Sequence, residues 1–101
     1  MINQEKTLEL VDRSQRKDTA AFAQLVTEFQ PMVFRLAFRL LCDENEARDI
    51  TQETFVKAIK AVDRFKGDCD IKVWLCQIAK NTYFTYAGKQ NREQVDVDAV
   101  N

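Results

Sequence analysis

The sequence predicts an all-α protein, a compact bundle of about four helices with a kinked central helix. Only two glycines and one proline occur in 101 residues, which is few for the turns of a many-stranded sheet. Apolar residues recur instead at three- and four-residue steps, the spacing of one helix face. A chain of this length is expected to form one domain around one modest core.

The first helix is short. Its apolar residues are Leu8, Leu10 and Val11, and it ends in the polar stretch 12–19. Asp18 is a good N-cap for a longer second helix, whose apolar positions run at helical spacing from Ala21 to Leu40. This helix is the strongest amphipathic pattern in the chain.

Pro31 lies inside that second helix and removes one backbone hydrogen bond there. The sequence therefore predicts either a kink at Pro31 or two helices in near-continuation. Phe34 and Phe38 widen the apolar arc beyond one face. We expect this helix to contact neighbours on two sides and to be the central one.

A third helix is predicted to begin after Asp43, because Asp43 and Glu46 have the spacing of a capping box. One arc of this helix is expected to be buried, and it contains Ala47, Ile50, Thr54, Phe55, Ala58, Ile59 and Val62. The opposite face is expected to be exposed, and it contains Asp49, Gln52, Glu53, Val56 and Lys60. From the pattern alone, that face is either an ordinary solvated surface or a partner surface.

A basic loop over 64–70 follows, since Gly67 and Asp68 are turn residues. The last helix is predicted to begin near Asp70 and to stop at Gly88, a common C-terminal residue of helices. Its expected core residues are Ile71, Trp74, Leu75, Ile78 and Thr82. After Gly88 the chain lacks a periodic apolar face and is typical of a frayed end or a linker.

Charge divides the chain into three parts. The net charge of −1 is the sum of −3 over residues 1–56, +5 over 57–92 and −3 over 93–101. Cations, aromatic rings and an amide are interleaved in the basic part, at Arg64, Phe65, Lys66, Lys80, Asn81, Tyr83, Phe84 and Lys89. Such a set suits single-stranded nucleic acid, because cations contact phosphates and rings stack on bases. The alternative is that the rings belong to the core and the lysines only solvate its rim.

The composition argues against several other functions. The chain has no histidine, the most common general base. Cys42, Cys69 and Cys76 lack metal-ligand spacing, so we expect free buried thiols and neither a metal nor a cofactor. No apolar run approaches the roughly 20 residues of a membrane span. A soluble, cytoplasmic protein that is not an enzyme is predicted.

Several motifs together resemble the second conserved region of bacterial sigma-70 factors, in particular the extracytoplasmic-function (ECF) group. The motifs are Ala21-Phe22-x-x-Leu25, the run from Phe34 to Leu41, the run Asp49-Ile-Thr-Gln-Glu-Thr-Phe55-Val-Lys-Ala, Phe65-Lys-Gly67, and the run from Trp74 through Asn81-Thr. They occur in the family's order and spacing, and the resemblance spans roughly residues 8–82.

This resemblance implies two partners, core RNA polymerase and promoter DNA. Asp49, Gln52 and Glu53, with the exposed Val56, would dock on the clamp helices of the polymerase largest subunit. The loop at Arg64, Phe65, Lys66 and Gly67 would capture a base flipped out of the minus-ten element. Lys80, Asn81 and Phe84 would contact the non-template strand. The domain would bind polymerase, recognise and melt the minus-ten element, and be controlled by an anti-sigma factor.

The sequence also departs from the family pattern. Thr85 stands where many members have an aspartate, Cys76-Gln77 replaces an aromatic-arginine pair, and few basic residues follow Gly88. Fewer phosphate contacts predict weaker and less salt-dependent binding of DNA. We expect residues 1–90 to form the region 2 domain and 91–101 to begin an interdomain linker. We expect the family's C-terminal helix-turn-helix domain to be absent from this chain.

Two other hypotheses remain open at this point. The first is a sigma-like decoy that would bind an anti-sigma regulator without binding DNA. The small number of basic residues after Gly88 and the near-zero net charge favour it. An unrelated helical bundle would oligomerise through Phe34, Phe38 and Val56.

Overall fold

The computed structural model describes the backbone of residues 2–100 and the side chains of residues 2–88. The described backbone contains four α-helices. Helix α1 spans Gln4–Gln15, α2 spans Thr19–Leu41 and α3 spans Glu44–Ala61. A single 3₁₀ turn over Val62–Arg64 leads into the loop, and α4 spans Ile71–Val100. The described backbone contains no strand, so the predicted all-α class is confirmed.

Side-chain caps set the starts of the helices. The Asn3 side chain accepts a hydrogen bond from the Lys6 N–H at 2.8 Å. The Asp18 side chain accepts from the Ala21 N–H at 3.2 Å, as predicted. Such caps satisfy N–H groups that have no partner within the helix.

The predicted capping box of α3 is half formed. Asp43 Oδ1 accepts from the Glu46 N–H at 2.9 Å. The Glu46 carboxylate, however, accepts a hydrogen bond from the Tyr86 hydroxyl on α4. The second half of the box is thereby replaced by a contact that joins α3 to α4.

Helix α2 is central, as predicted, because it packs against α1, α3 and α4. It continues through Pro31 as one helix, so the predicted break into two helices does not occur, while the bend stays a prediction. Pro31 cannot donate to the carbonyl of Thr27, but both residues are exposed, so this carbonyl can bond to water. Helix α2 ends at Cys42, whose φ of 53° is left-handed.

The main core joins all four helices. Its buried residues are Leu10, Val11, Ala21, Phe22, Leu25, Phe29, Val33, Phe55, Ala58, Val62, Ile71, Leu75 and Ala79. A smaller cluster of Ala37, Ala47 and Ile50 lies between α2 and α3, with Phe34, Leu41 and Tyr86 packed against it. Trp74 and Ile78 are half-buried against the main core.

The predicted burial of Ile59 and the predicted end of α4 are wrong. Ile59 is 46% exposed, because it lies at the edge of the buried arc, roughly 100° from its centre. Phe38 on α2 is 44% exposed. Helix α4 does not stop at Gly88, since the helix formers that follow it outweigh the roughly 1 kcal/mol cost of one helical glycine. The side chains of Lys89 and of the expected linker 91–101 lie outside the described side chains.

Candidate interaction surfaces

The exposed face of α3 is an acidic surface with one apolar residue. Asp49, Gln52, Glu53 and Val56 are all exposed, as predicted, and Val56 is 47% exposed. In the described part of the chain, no Lys or Arg side-chain nitrogen lies within 4 Å of either carboxylate. We call these four residues the acidic face. A positively charged partner would find both carboxylates unpaired.

A cleft of about 320 Å³ borders the acidic face, between α3 and α4. Asp49 and Glu53 stand on its α3 side, and Thr82, Thr85 and Tyr86 line its α4 side. Lys57 also lines this cleft, and its Nζ donates to Thr82 Oγ1 at 3.2 Å. The acidic face therefore extends into a concave surface shared by two helices.

The loop between the 3₁₀ turn and α4 is held by two contacts. The ring of Phe65 packs on Trp74 with centroids 5.2 Å apart. On the other side, Gln15 Nε2 donates to the carbonyl oxygens of Val62 at 3.1 Å and of Phe65 at 2.7 Å. Gly67 has a φ of +78°, a conformation that other residues adopt with strain. The loop is thus fixed in place at its start.

Gln15 is a positioning residue that the sequence analysis missed. It lies at the end of α1, 50 residues before its acceptor Phe65. No local pattern marks such a long-range contact, because a half-buried glutamine at the end of a helix is ordinary in a sequence.

The structure places the two phenylalanines of the predicted nucleic-acid set differently. Phe65 is half-buried against Trp74, as in the core alternative. Phe84 is 64% exposed, and its ring contact among the described residues is a tilted one with the half-buried Tyr83, with centroids 5.4 Å apart. An exposed ring of this kind is available for stacking on a base.

The other predicted nucleic-acid residues are exposed, namely Arg64 and Lys66 in the loop and Lys80 and Asn81 on α4. Asn81 lies seven residues after Trp74, nearly two helical turns or roughly 10 Å further along the same side of α4. The loop and α4 therefore present one elongated surface, with Phe65 near one end and Phe84 near the other. We call Lys80, Asn81 and Phe84 the α4 ridge.

The described residues contain no group of three His, Cys, Asp or Glu side chains placed to hold a metal ion. The three cysteines are free thiols, as predicted, but Cys42 is exposed and Cys69 and Cys76 are half-buried. The expected burial of these thiols is therefore wrong. Among the described residues, no helix is long and apolar enough to cross a membrane.

Comparison with known proteins agrees with this architecture. Residues 25–93 match the Sigma-70 region 2 family. The chain is 39% identical over 98 residues to the RNA polymerase sigma-H factor of Pseudomonas aeruginosa, which covers 97% of this chain and 51% of that protein. It is 40% identical over 93 residues to the ECF RNA polymerase sigma-E factor of Escherichia coli K12, which covers 90% of this chain and 48% of the relative.

A solved structure is similar over most of the chain. It is the NMR structure of an engineered region 2 of sigmaE in complex with GTAAAA. The match has a TM-score of 0.79 and 33% identity, and it covers 91% of this chain and 97% of that one.

The fold and the family match define a sigma factor region 2 domain. This chain belongs to the sigma-70 family, within its extracytoplasmic-function group. It spans about half the length of the curated relatives that it matches.

Proposed function

We propose that this chain is a transcription initiation module that binds core RNA polymerase and holds the melted minus-ten element of a promoter. Residues 1–90 form the module and 91–101 begin a linker. The observation that carries the proposal is the separation of two surfaces in a region 2 fold. Unpaired carboxylates are exposed on α3, whereas cations and an exposed aromatic ring lie on α4.

In the proposed complex, the acidic face docks on the clamp helices of the polymerase largest subunit. Asp49 and Glu53 are four residues apart on one side of α3, so both carboxylates can face the same basic partner helix. Val56 adds exposed apolar area beside them. Because the described residues offer these carboxylates no cation, docking breaks no ion pair within the described part of the chain.

Binding to purified core polymerase tests this surface. The triple variant Asp49→Ala, Gln52→Ala, Glu53→Ala is expected to bind at least about tenfold more weakly, because it removes two charges and an amide from the interface. Its matched control, Glu5→Ala, Asp12→Ala, Gln24→Ala, makes the same changes at exposed positions of α1 and α2. Equal affinities of the two triple variants would show that the acidic face does not dock.

On the DNA side, Arg64, Phe65 and Lys66 in the loop and the α4 ridge contact the non-template strand. A flipped base would be captured at the loop, and Asn81 would pair with a base edge while Phe84 stacks. Capture of an unstacked base favours DNA that is already open. The binding energy therefore stabilises the melted state, and no covalent bond is made or broken.

Single-stranded oligonucleotides test this second surface. The hexamer GTAAAA, bound by the similar sigmaE domain, serves as a first probe against a thymidine hexamer, and selection from a random pool gives this chain's own preference. Phe65→Leu or Asn81→Ala is expected to reduce the base preference by about tenfold, since one stacking or bidentate contact contributes roughly 1–3 kcal/mol.

The matched controls are Phe38→Leu and Asn45→Ala, which make the same changes at exposed positions elsewhere. An unaltered preference in Phe65→Leu and Asn81→Ala would exclude base capture at those residues.

The proposed role takes place in the cytoplasm, with an anti-sigma regulator as a further expected partner. No feature of the fold favours the decoy hypothesis, in which the chain binds that regulator and no DNA. Sequence-selective binding of a single strand by the free chain would eliminate the decoy.

A further inference from the structure

Helix α4 is flanked by two grooves of opposite charge. The cleft between α3 and α4 carries Asp49, Glu53 and one lysine. On the α2 side, two adjoining cavities of about 220 and 300 Å³ share Met32 and Arg35. We call these two cavities the α2–α4 groove. A difference in charge between two grooves beside one helix indicates different ligands.

The α2–α4 groove is basic at its rims and apolar at its base. Arg35 and Arg39 come from α2 and Lys72 from α4. In the second cavity, α4 contributes Cys76, and α2 contributes the apolar side chains of Met32 and Leu36. Glu28 is the one carboxylate among the lining residues, and its Oε1 accepts a hydrogen bond from the Ile2 N–H at 3.2 Å.

The cations of this groove are unpaired within the described residues. The described ion pairs involve Lys6, Arg13, Arg16 and Arg48, all of them on α1 or at the start of α3. Arg35 makes one contact within its own helix, from Nε to the Pro31 carbonyl oxygen at 3.4 Å. Arg35, Arg39 and Lys72 therefore raise the local positive potential, and Glu28 is the one carboxylate beside them among the described lining residues.

This basic groove continues toward the α4 ridge. Lys72, Cys76 and Lys80 are spaced four residues apart and so follow one side of α4 over roughly 12 Å. Lys80 is exposed and belongs to the ridge with Asn81 and Phe84. Lys72 and Lys80 thus carry positive charge along this side of α4, with the uncharged Cys76 between them, from the groove to the surface proposed to contact bases.

We infer that the α2–α4 groove binds the phosphate backbone of the DNA strand whose bases contact the α4 ridge. This inference rests on the proposed function and adds a second contact region to it. Arginine suits the task, because its planar guanidinium can bond two phosphate oxygens at once. The apolar base of the groove suits sugar rings. The neighbouring α4 ridge favours a DNA strand over an acidic polypeptide as the occupant, because an amide and an exposed ring suit bases.

The test compares short and long single strands. The short probe is GTAAAA, and the long probe carries five thymidines on each side of it. Wild type is expected to bind the long probe more tightly, and its affinity should fall more steeply with salt. Arg35→Gln, Arg39→Gln removes two charges while keeping a polar side chain at each position. Its control, Arg16→Gln, Arg48→Gln, removes two exposed arginines from α1 and α3.

The groove variant, Arg35→Gln, Arg39→Gln, should no longer bind the long probe more tightly than the short one. Two lost phosphate contacts lower the slope of log affinity against log salt by about 1.4, which corresponds to about 60-fold weaker binding at 50 mM salt and about tenfold at 200 mM. The control variant should keep the wild-type slope.

Three results would overturn the inference. The first is a groove variant that matches its control in affinity and in salt slope, while Phe65→Leu and Asn81→Ala still lose base preference. That result would refute phosphate binding by the groove and leave the proposed function standing. The second is unchanged DNA binding combined with lost retention on immobilised poly-glutamate, which would assign the groove to an acidic polypeptide. The third is a wild-type chain that binds neither probe, which overturns the proposed function as well.

Discussion

The ring of Phe65 lies against Trp74 with a centroid distance of 5.2 Å and an interplanar angle of 54°. This pair connects the loop after α3 to the first turn of α4. Tilted aromatic pairs of this kind are worth about 0.5–1.5 kcal/mol beyond the area that they bury. The loop proposed to capture a base is thereby held in position before any DNA binds.

Replacing Phe65 should change both stability and fluorescence. Phe65→Ala is expected to lower the free energy of unfolding by about 1–2 kcal/mol. It should also shift the emission of Trp74, the single tryptophan, to longer wavelength, because the indole gains contact with water. Urea unfolding followed by fluorescence measures both effects. Phe84→Ala removes a ring that is 64% exposed and should change neither; equal effects of the two variants would contradict the loop contact.

Gln15 should position the same loop from the opposite side. Gln15→Ala removes two hydrogen bonds to loop carbonyls and is expected to destabilise the domain by about 1–2 kcal/mol. Amide hydrogen exchange should become faster at residues 65–70, since the start of the loop is no longer held. Gln30→Ala, at an exposed position of α2, is the matched control. Unchanged exchange in the loop would show that Gln15 does not position it.

Helix α1 should be part of the cooperative fold, although the family match begins only at residue 25. Leu10 is fully buried and Leu8 is 57% exposed. Leu10→Ala is expected to lower the free energy of unfolding by about 3 kcal/mol, because it leaves a cavity in the core. Leu8→Ala should change stability by no more than about 0.5 kcal/mol. Calorimetric unfolding of both variants measures the difference, and similar midpoints would contradict the placement of α1.

Stability should fall in acid partly through Asp18. The hydrogen bond from Arg13, at 2.9 Å, and then that from the Ala21 N–H hold the pKa of the Asp18 carboxyl below its usual range. A carboxyl with a lowered folded-state pKa stabilises the fold above its unfolded pKa of about 4, and this contribution is lost as the pH falls through the lowered value. Urea unfolding measured from pH 6 to pH 2 should therefore show a smaller decrease in the free energy of unfolding for Asp18→Asn than for wild type. Identical pH dependence in the two proteins would exclude this contribution.

Local signals in the sequence predicted most of the secondary structure. The caps at Asp18 and Asp43 and the exposed side of α3 follow from residues within one or two helical turns. Wrong predictions arose where two local preferences compete, as at Gly88, or at the edge of an arc, as at Ile59.

The grooves beside α4 and the contacts of Gln15 could not be predicted from the chain. They depend on which helices become neighbours, and periodicity within one helix carries no information about its neighbour. Residues that are far apart in sequence, such as Arg39 and Cys76, line one cavity only because α2 packs beside α4.

The preference of the free chain for open DNA tests the central claim most directly. Fluorescence anisotropy compares one labelled strand, carrying the sequence selected from the random pool, with the same strand annealed to its complement. The single strand is expected to bind at least about tenfold more tightly, because a captured base must leave the stack and a duplex resists this by a few kcal/mol. Equal binding, or tighter binding of the duplex, would contradict the central claim.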